Sequence, residues 1–205
     1  MNNIKWVFFD IGSTLVDESA VYENRIEVIT QKNCIDKNEF IEKVKKRAHT
    51  NQKPIVSVAE DYGAKVPAWR HDLEVLYPDT KELLQRLSQK YKIGIIANQD
   101  FGTEQRLTDF NVHQYINLVI ASAEEGVAKP DLRIFQIALA RADCKPEEAI
   151  MVGDRLDNDI IPANKIGMTT VWIKQGFGSY AEPKTVEKQP NYIVNNLAEI
   201  TELFR

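Results

Sequence analysis

Cysteine is nearly absent. The 205 residues hold two, Cys34 and Cys144, far apart in sequence and without zinc-ligand spacing, so the expectation is reduced thiols in a cytoplasmic protein. Glycine and proline are also sparse, nine and eight, which argues against a collagen-like repeat, a low-complexity linker or long disorder. No run approaches the roughly 18 consecutive apolar residues of a membrane span. Charge of one sign is missing too. The 26 basic and 30 acidic side chains leave a net charge of −4, and with it no electrostatic reason for a nucleic-acid or anionic-membrane partner. Met1-Asn2-Asn3 leads straight into a strand-like run, without the charged and apolar regions of a signal peptide. What is present is a soluble composition, 43% hydrophobic and 27% charged, long enough for one domain with an insertion.

Two patterns alternate along most of the chain. Short apolar runs at Ile4–Phe9, Ile93–Ala97, Leu118–Ala121, Ala149–Val152, Thr170–Ile173 and Tyr192–Val194 read as strands. Between them, apolar residues recur at helical spacing, as in Leu83, Leu84 and Leu87, or Leu132, Phe135 and Leu139. Near-continuous apolar strands are covered on both faces, so the fold class predicted is α/β, a Rossmann-like doubly wound parallel sheet. Ligands of such sheets bind at the carboxyl ends of the strands.

One interval breaks the alternation. More than eighty residues separate the first two strands, far beyond an ordinary connection. Tyr22, Ile26 and Ile29 share one helical face, Ile41, Val44 and Ala48 a second, and Ile55, Val58, Ala59 and Tyr62 a third, with polar breaks at 33–36 and 51–54. The reading is a small α-helical cap domain at 16–75 inserted into a core domain of 1–15 and 76–205. Asp79 or Thr80 is expected to cap the helix that carries Leu83 and Leu87.

The residues just after each strand give the candidate chemistry. Strand one ends in Asp10-Ile11-Gly12-Ser13, strand two in Ala97-Asn98-Gln99-Asp100, and strand four in Gly153-Asp154-Arg155-Leu156-Asp157-Asn158-Asp159, while Lys129 lies in the loop after strand three. Three acidic positions and a lysine thus converge on one rim. Clustered carboxylates repel unless a cation sits among them, and a set of carboxylate oxygens suits Mg²⁺ better than zinc. Asp100 and Asp157 border the rim and read as loop polarity.

The stretches FFDIGSTL, GIIANQ, VAKPD and VGDRLDNDI, in this order on successive strand ends, resemble the haloacid-dehalogenase-like hydrolase superfamily, in the branch with a helical cap after the first motif. The resemblance covers essentially the whole chain. It implies a Mg²⁺-dependent hydrolase acting on a small phosphorylated metabolite through an aspartyl-phosphate. Asp10 would be the nucleophile, and Asp10, the Gly12 carbonyl, Asp154 and Asp159 the metal site. Lys129 would neutralise the phosphoryl group, and its loss would weaken anion binding while leaving the fold intact. Ser13 and Asn98 would contact the substrate.

Two positions depart from that pattern. A second aspartate, the general acid and base, is replaced by Gly12, and a hydroxyl residue ending the second motif is replaced by Ala97. Loss of an acid removes a factor of roughly 10²–10⁴ in rate unless another group substitutes, Asp17 and Asp100 being the nearest in sequence. The alternatives are carbon–halogen or carbon–phosphorus cleavage, the latter drawing on a cap lysine (Lys32, Lys43, Lys45, Lys46 or Lys53), or a regulatory protein that binds an anion without turnover. Tyr22, Arg25, His49 and Trp69 are cap residues for which packing within the cap, or a solvated helix face, is the plainer expectation.

Overall fold

The computed structural model describes residues 3–50, 53–183 and 189–204. Six strands form one parallel sheet: β1 (Trp6–Phe9), β4 (Lys92–Ala97), β5 (Leu118–Ala121), β6 (Ala149–Gly153), β7 (Thr169–Ile173) and β8 (Tyr192–Val194), numbered to leave β2 and β3 for the pair described below. Their order across the sheet is β5-β4-β1-β6-β7-β8. The register pairs Phe9 with Ile95 on one side and with Val152 on the other.

Both faces of this sheet are covered, which is why its strands are apolar throughout. Val7 and Phe9 of β1 join one core, packed under α4 (Thr80–Leu87), α5 (Thr103–Asp109) and α9 (Leu197–Leu203). Trp6 and Phe8 point the other way, into a second core under α7 (Leu132–Ala142) and α8 (Ile161–Ile166). Every residue of β1 and β6 at the sheet centre is buried, and at roughly 25 cal/mol per Å² such burial is the main stabilising term.

The insertion carries α1 (Ser19–Lys32), α2 (Lys37–Ala48) and α3 (Pro54–Asp61), which gather a core of their own around Phe40, Val44, Ile29 and Val58. Asp36 caps α2 by accepting the Glu39 N–H, and Pro54 opens α3 where a missing N–H costs nothing. The 33–36 break contains the cap of α2, whereas residues 51–52 of the second break lie outside the described residues.

Two details differ from the sequence reading. The two crossings between sheet and insertion are joined by an antiparallel pair, β2 (Val16–Asp17) with β3 (Val75–Leu76); strands of two residues have no period to detect. Asp79 takes the N-cap position of α4, as expected, but its side chain makes no cap hydrogen bond, and Thr80 is the first helical residue. The Thr80 hydroxyl donates to the Leu15 carbonyl at 2.7 Å instead, and the Tyr77 N–H donates to the same oxygen. That buried threonine ties the two crossings together.

Candidate active site

The sheet order reverses at β1, whose connections lead to β4 on one side and whose other neighbour is β6. Loops that leave in opposite directions open a crevice at the carboxyl end of such a pair. Asp10 follows β1 and Asp154 follows β6, so the crevice is walled by the two aspartates. The five residues after Arg155, Leu156–Ile160, form a π-helical turn that precedes α8 and carries Asp159 into full burial. Turns of this width recur at functional sites.

Carboxylate oxygens of Asp10, Asp154 and Asp159 come within 4.8 Å of one another. Lys129, 4% exposed, reaches in from the segment before α7. Its ammonium lies 2.9 Å from Asp10 Oδ1 and 2.6 Å from Asp159 Oδ1. Burial alone would lower the Lys129 ammonium, but the two carboxylates outweigh it and hold the group above its ordinary value. Asp159 is pushed up to about 6, by burial first, with the Lys129 ammonium opposing. Burial, and then the charges of Asp159 and Asp10, raise Asp154 well above the carboxylate range. Its Oδ1 is buried with no hydrogen-bond partner among the described residues. A buried acceptor left without a donor is costly.

Glycine at 153 is set by this cluster rather than by a turn. A Cβ there would sit 2.4 Å from the Asp159 carboxyl carbon. Beyond Lys129, α7 begins at Leu132 with Asp131 as its cap.

The two expected substrate contacts are engaged within the protein. The Asn98 amide clamps the backbone of Lys129, donating to its carbonyl at 2.9 Å and accepting its N–H at 2.7 Å. Both ends of the amide are thus used to place the lysine. Ser13, at φ 53°, donates its hydroxyl to Glu18 Oε2 at 3.2 Å.

Glu18 is the residue that the sequence did not mark. It is 6% exposed and also receives the Tyr22 hydroxyl at 2.7 Å. Burial pushes its carboxyl up to about 7 against the Tyr22 hydrogen bond, and Asp10 and Glu74 push the same way.

Over these groups lies a cavity of about 380 Å³. Asp10, Gly12, Lys129 and Asp154 form its floor, and Tyr22, Arg25, Trp69 and His71 of the insertion its roof. The Arg25 guanidinium sits 4.6 Å from the Trp69 ring centroid, and its buried Nε has no hydrogen-bond partner. Glu74 accepts from Trp69 Nε1 at 2.6 Å and meets His71 Nδ1 at 3.0 Å, which fixes both rings. Tyr22, Arg25 and Trp69 therefore face the cavity, contrary to the plainer expectation of cap packing. His49 meets it: its ring is 6.1 Å from that of Tyr180, outside the residues that line the cavity. Of the five cap lysines considered, Lys53 alone lines it.

The fold is thus α/β, a parallel sheet with aspartates at its switch point beneath a helical insertion. Residues 7–173 match the family described as haloacid dehalogenase-like hydrolase, and the chain belongs to that family. A relative from Pyrococcus furiosus, a glyceraldehyde 3-phosphate phosphatase, is 31% identical over 99% of this chain and 94% of its own length. Among solved structures, a HAD phosphatase from Thermococcus onnurineus superposes with a TM-score of 0.67 at 23% identity, over 98% of both chains. A 2-haloacid dehalogenase from Pseudomonas syringae does so at 0.64 and 21%, also over 98% of both chains. The fold is therefore shared by two chemistries, and the reaction has to be read from the site.

Proposed function

We propose that this hydrolase is a Mg²⁺-dependent phosphatase that transfers the phosphoryl group of a small phosphorylated metabolite to Asp10 and then to water. The observation that carries the reading is the Asp10–Lys129–Asp159 array beside the orphaned Asp154 Oδ1, at the foot of a cavity sized for a small molecule. The name of the Pyrococcus furiosus relative supports a phosphorylated substrate of few carbons.

The donor set fits Mg²⁺. It is all carboxylate oxygen, two of its three members are buried, and one atom has no partner among the described residues. Asp10 and Asp154 would hold the ion, which would neutralise charge on the phosphoryl oxygens and on the carboxylates themselves. Asp159 meets Lys129 with Oδ1 and the Arg155 N–H with Oδ2, at 2.6 and 3.0 Å. Its part is to orient the lysine and stand behind the metal. Lys129 places a positive charge against the phosphoryl group and keeps Asp10 aimed. A carboxylate is a weak nucleophile, so this positioning and charge neutralisation supply most of the acceleration. The inserted helices serve as a cap, with Arg25 offering its guanidinium to an anionic substrate. Three clustered carboxylates, those of Asp154 and Asp159 buried and that of Asp10 half-buried, weigh against carbon–halogen cleavage by a metal-free aspartate.

The test is turnover of acyl, aryl and alkyl phosphates in Mg²⁺ and in EDTA. Release of phosphate that EDTA abolishes is expected; no release from any ester, or equal rates in EDTA, would overturn the reading. The metal assignment has its own readout. Calorimetry of Asp154→Asn should show Mg²⁺ binding weakened by more than the roughly 10–100-fold that even an outer partner of a metal site costs. Unchanged affinity would place the metal elsewhere.

A further inference from the structure

Glu18 stands at the N-terminus of α1, yet its side chain makes no cap bond to that helix. It turns instead into the wall of the cavity that holds Asp10. Its carboxyl is held there by the Tyr22 and Ser13 hydroxyls. The Tyr22 ring is itself fixed by edge contacts to Trp69 and Phe177, at 5.5 and 5.0 Å between centroids.

What defines its role is the space above Gly12. A Cβ built on Gly12 falls 2.3 Å from Glu18 Oε1 and 2.8 Å from the Glu18 carboxyl carbon. An aspartate's own carboxyl carbon lies one C–C bond, about 1.5 Å, beyond its Cβ. The Glu18 carboxyl therefore fills the volume that the carboxyl of an aspartate at position 12 would take. Gly12 is not among the glycines of positive φ, so its backbone would accept a side chain. The obstacle is Glu18.

We propose that Glu18 is the general acid and base of the phosphoryl transfer, supplied from the start of the insertion in place of the side chain that position 12 lacks. This deepens the phosphatase reading and rests on it. In the first step an Asp10 oxygen bonds to phosphorus as the bond to the leaving oxygen breaks, and Glu18 gives its proton to that oxygen. In the second, the Glu18 carboxylate takes a proton from a water whose oxygen bonds to phosphorus, while the bond to Asp10 breaks and restores its carboxylate. The sum is ester plus water giving alcohol plus phosphate, with Glu18 returned to its acid form. The other acids and hydroxyls nearby are bonded elsewhere or, like Asp100 at the cavity mouth, face solvent. Asp17 accepts the Ser19 N–H at 2.8 Å, the Asp100 side chain is 80% exposed, and the Tyr22 hydroxyl is spent on Glu18.

Glu18→Gln keeps the shape and removes the proton. In single-turnover experiments with Mg²⁺, it should slow alcohol release from an alkyl phosphate by roughly 10²–10⁴. An aryl phosphate, whose leaving group needs little protonation, should instead give a burst of one phenol per enzyme. Slow turnover should follow, because water attack on the acyl phosphate has lost its base. Gly12→Asp alone should lower activity, since its carboxyl meets that of Glu18. Gly12→Asp with Glu18→Ala should bring alkyl-phosphate turnover back to within about tenfold of the parent, well above Glu18→Ala alone. A folded Glu18→Gln protein with unchanged alkyl-phosphate release overturns the proposal. So does an equal fall on both esters without a burst, which is the mark of a merely structural glutamate. Failure of the phosphatase reading looks different: the parent protein would then release phosphate from neither ester in Mg²⁺, or release it equally in EDTA.

Discussion

Replacing Lys129 with methionine is expected to lower the stability of the metal-free protein by about 3–5 kcal/mol, the cost of stripping one partner from a buried ion pair. Methionine keeps most of the volume, so the loss reports charge rather than a cavity. In the parent, one ammonium lies between Asp10 and Asp159, with Asp154 in the same cluster. Without it, three acids share a site that admits little water, and some must take up protons to fold. With an m-value of about 3 kcal/mol/M, the urea midpoint in EDTA should fall by roughly 1–2 M. Millimolar Mg²⁺ should raise that midpoint more in the variant than in the parent, because an ion that binds only the native state adds stability and here meets uncompensated carboxylates. Sequence alone gives no reason to expect that cost, because the burial of Lys129 and its two carboxylate partners are set by the fold. At 4% exposure and two carboxylate contacts, it is part of the interior. A fall of less than about 0.5 M would show that the pair contributes little.

The sheet was legible because its signal is local and repeated. Phe8 and Phe9 are adjacent and both buried, one in each core, and only a strand covered on two sides asks for that pattern. The inserted helices were legible for the same reason, since Ile26, Ile29, Val44, Val58 and Ala59 recur at helical spacing and meet in one cluster. The acidic rim followed from counting residues after strands. What stayed hidden depends on distance in three dimensions. Glu18 follows a strand of two residues, and nothing in its neighbours shows that its carboxyl returns over Gly12. Asn98 looked like a ligand contact because its position in the chain is right; only the fold reveals that Lys129 takes both ends of its amide. Gly12 read as a missing side chain, whereas in the structure the Glu18 carboxyl occupies the space that such a side chain would take.

Asp10→Asn is expected to do the opposite of Lys129→Met: to destroy turnover and leave the fold no weaker. The asparagine amide matches the carboxylate in size but has no electron pair basic enough to attack phosphorus. Loss of a nucleophile of this kind lowers kcat by something on the order of 10⁴–10⁶, with the remainder coming from binding and electrostatics alone. Aryl phosphate should show the whole of this loss, because its leaving group makes no demand on Glu18. Protein quenched in acid during turnover should carry labelled phosphate in the parent and none in the variant. Stability should move the other way. Asp10 is among the charges that raise both Asp154 and Asp159, so removing it relieves repulsion inside the cluster. Lys129 keeps its 2.6 Å contact with Asp159, and the urea midpoint in EDTA should equal or exceed that of the parent. The two variants together separate function from fold. On the proposed mechanism the lysine would hold the carboxylates in place, while Asp10 would add repulsion to the site it serves, a trade-off common where activity needs a destabilised group. A folded Asp10→Asn protein that kept more than about one hundredth of parental turnover would remove Asp10 from the chemistry.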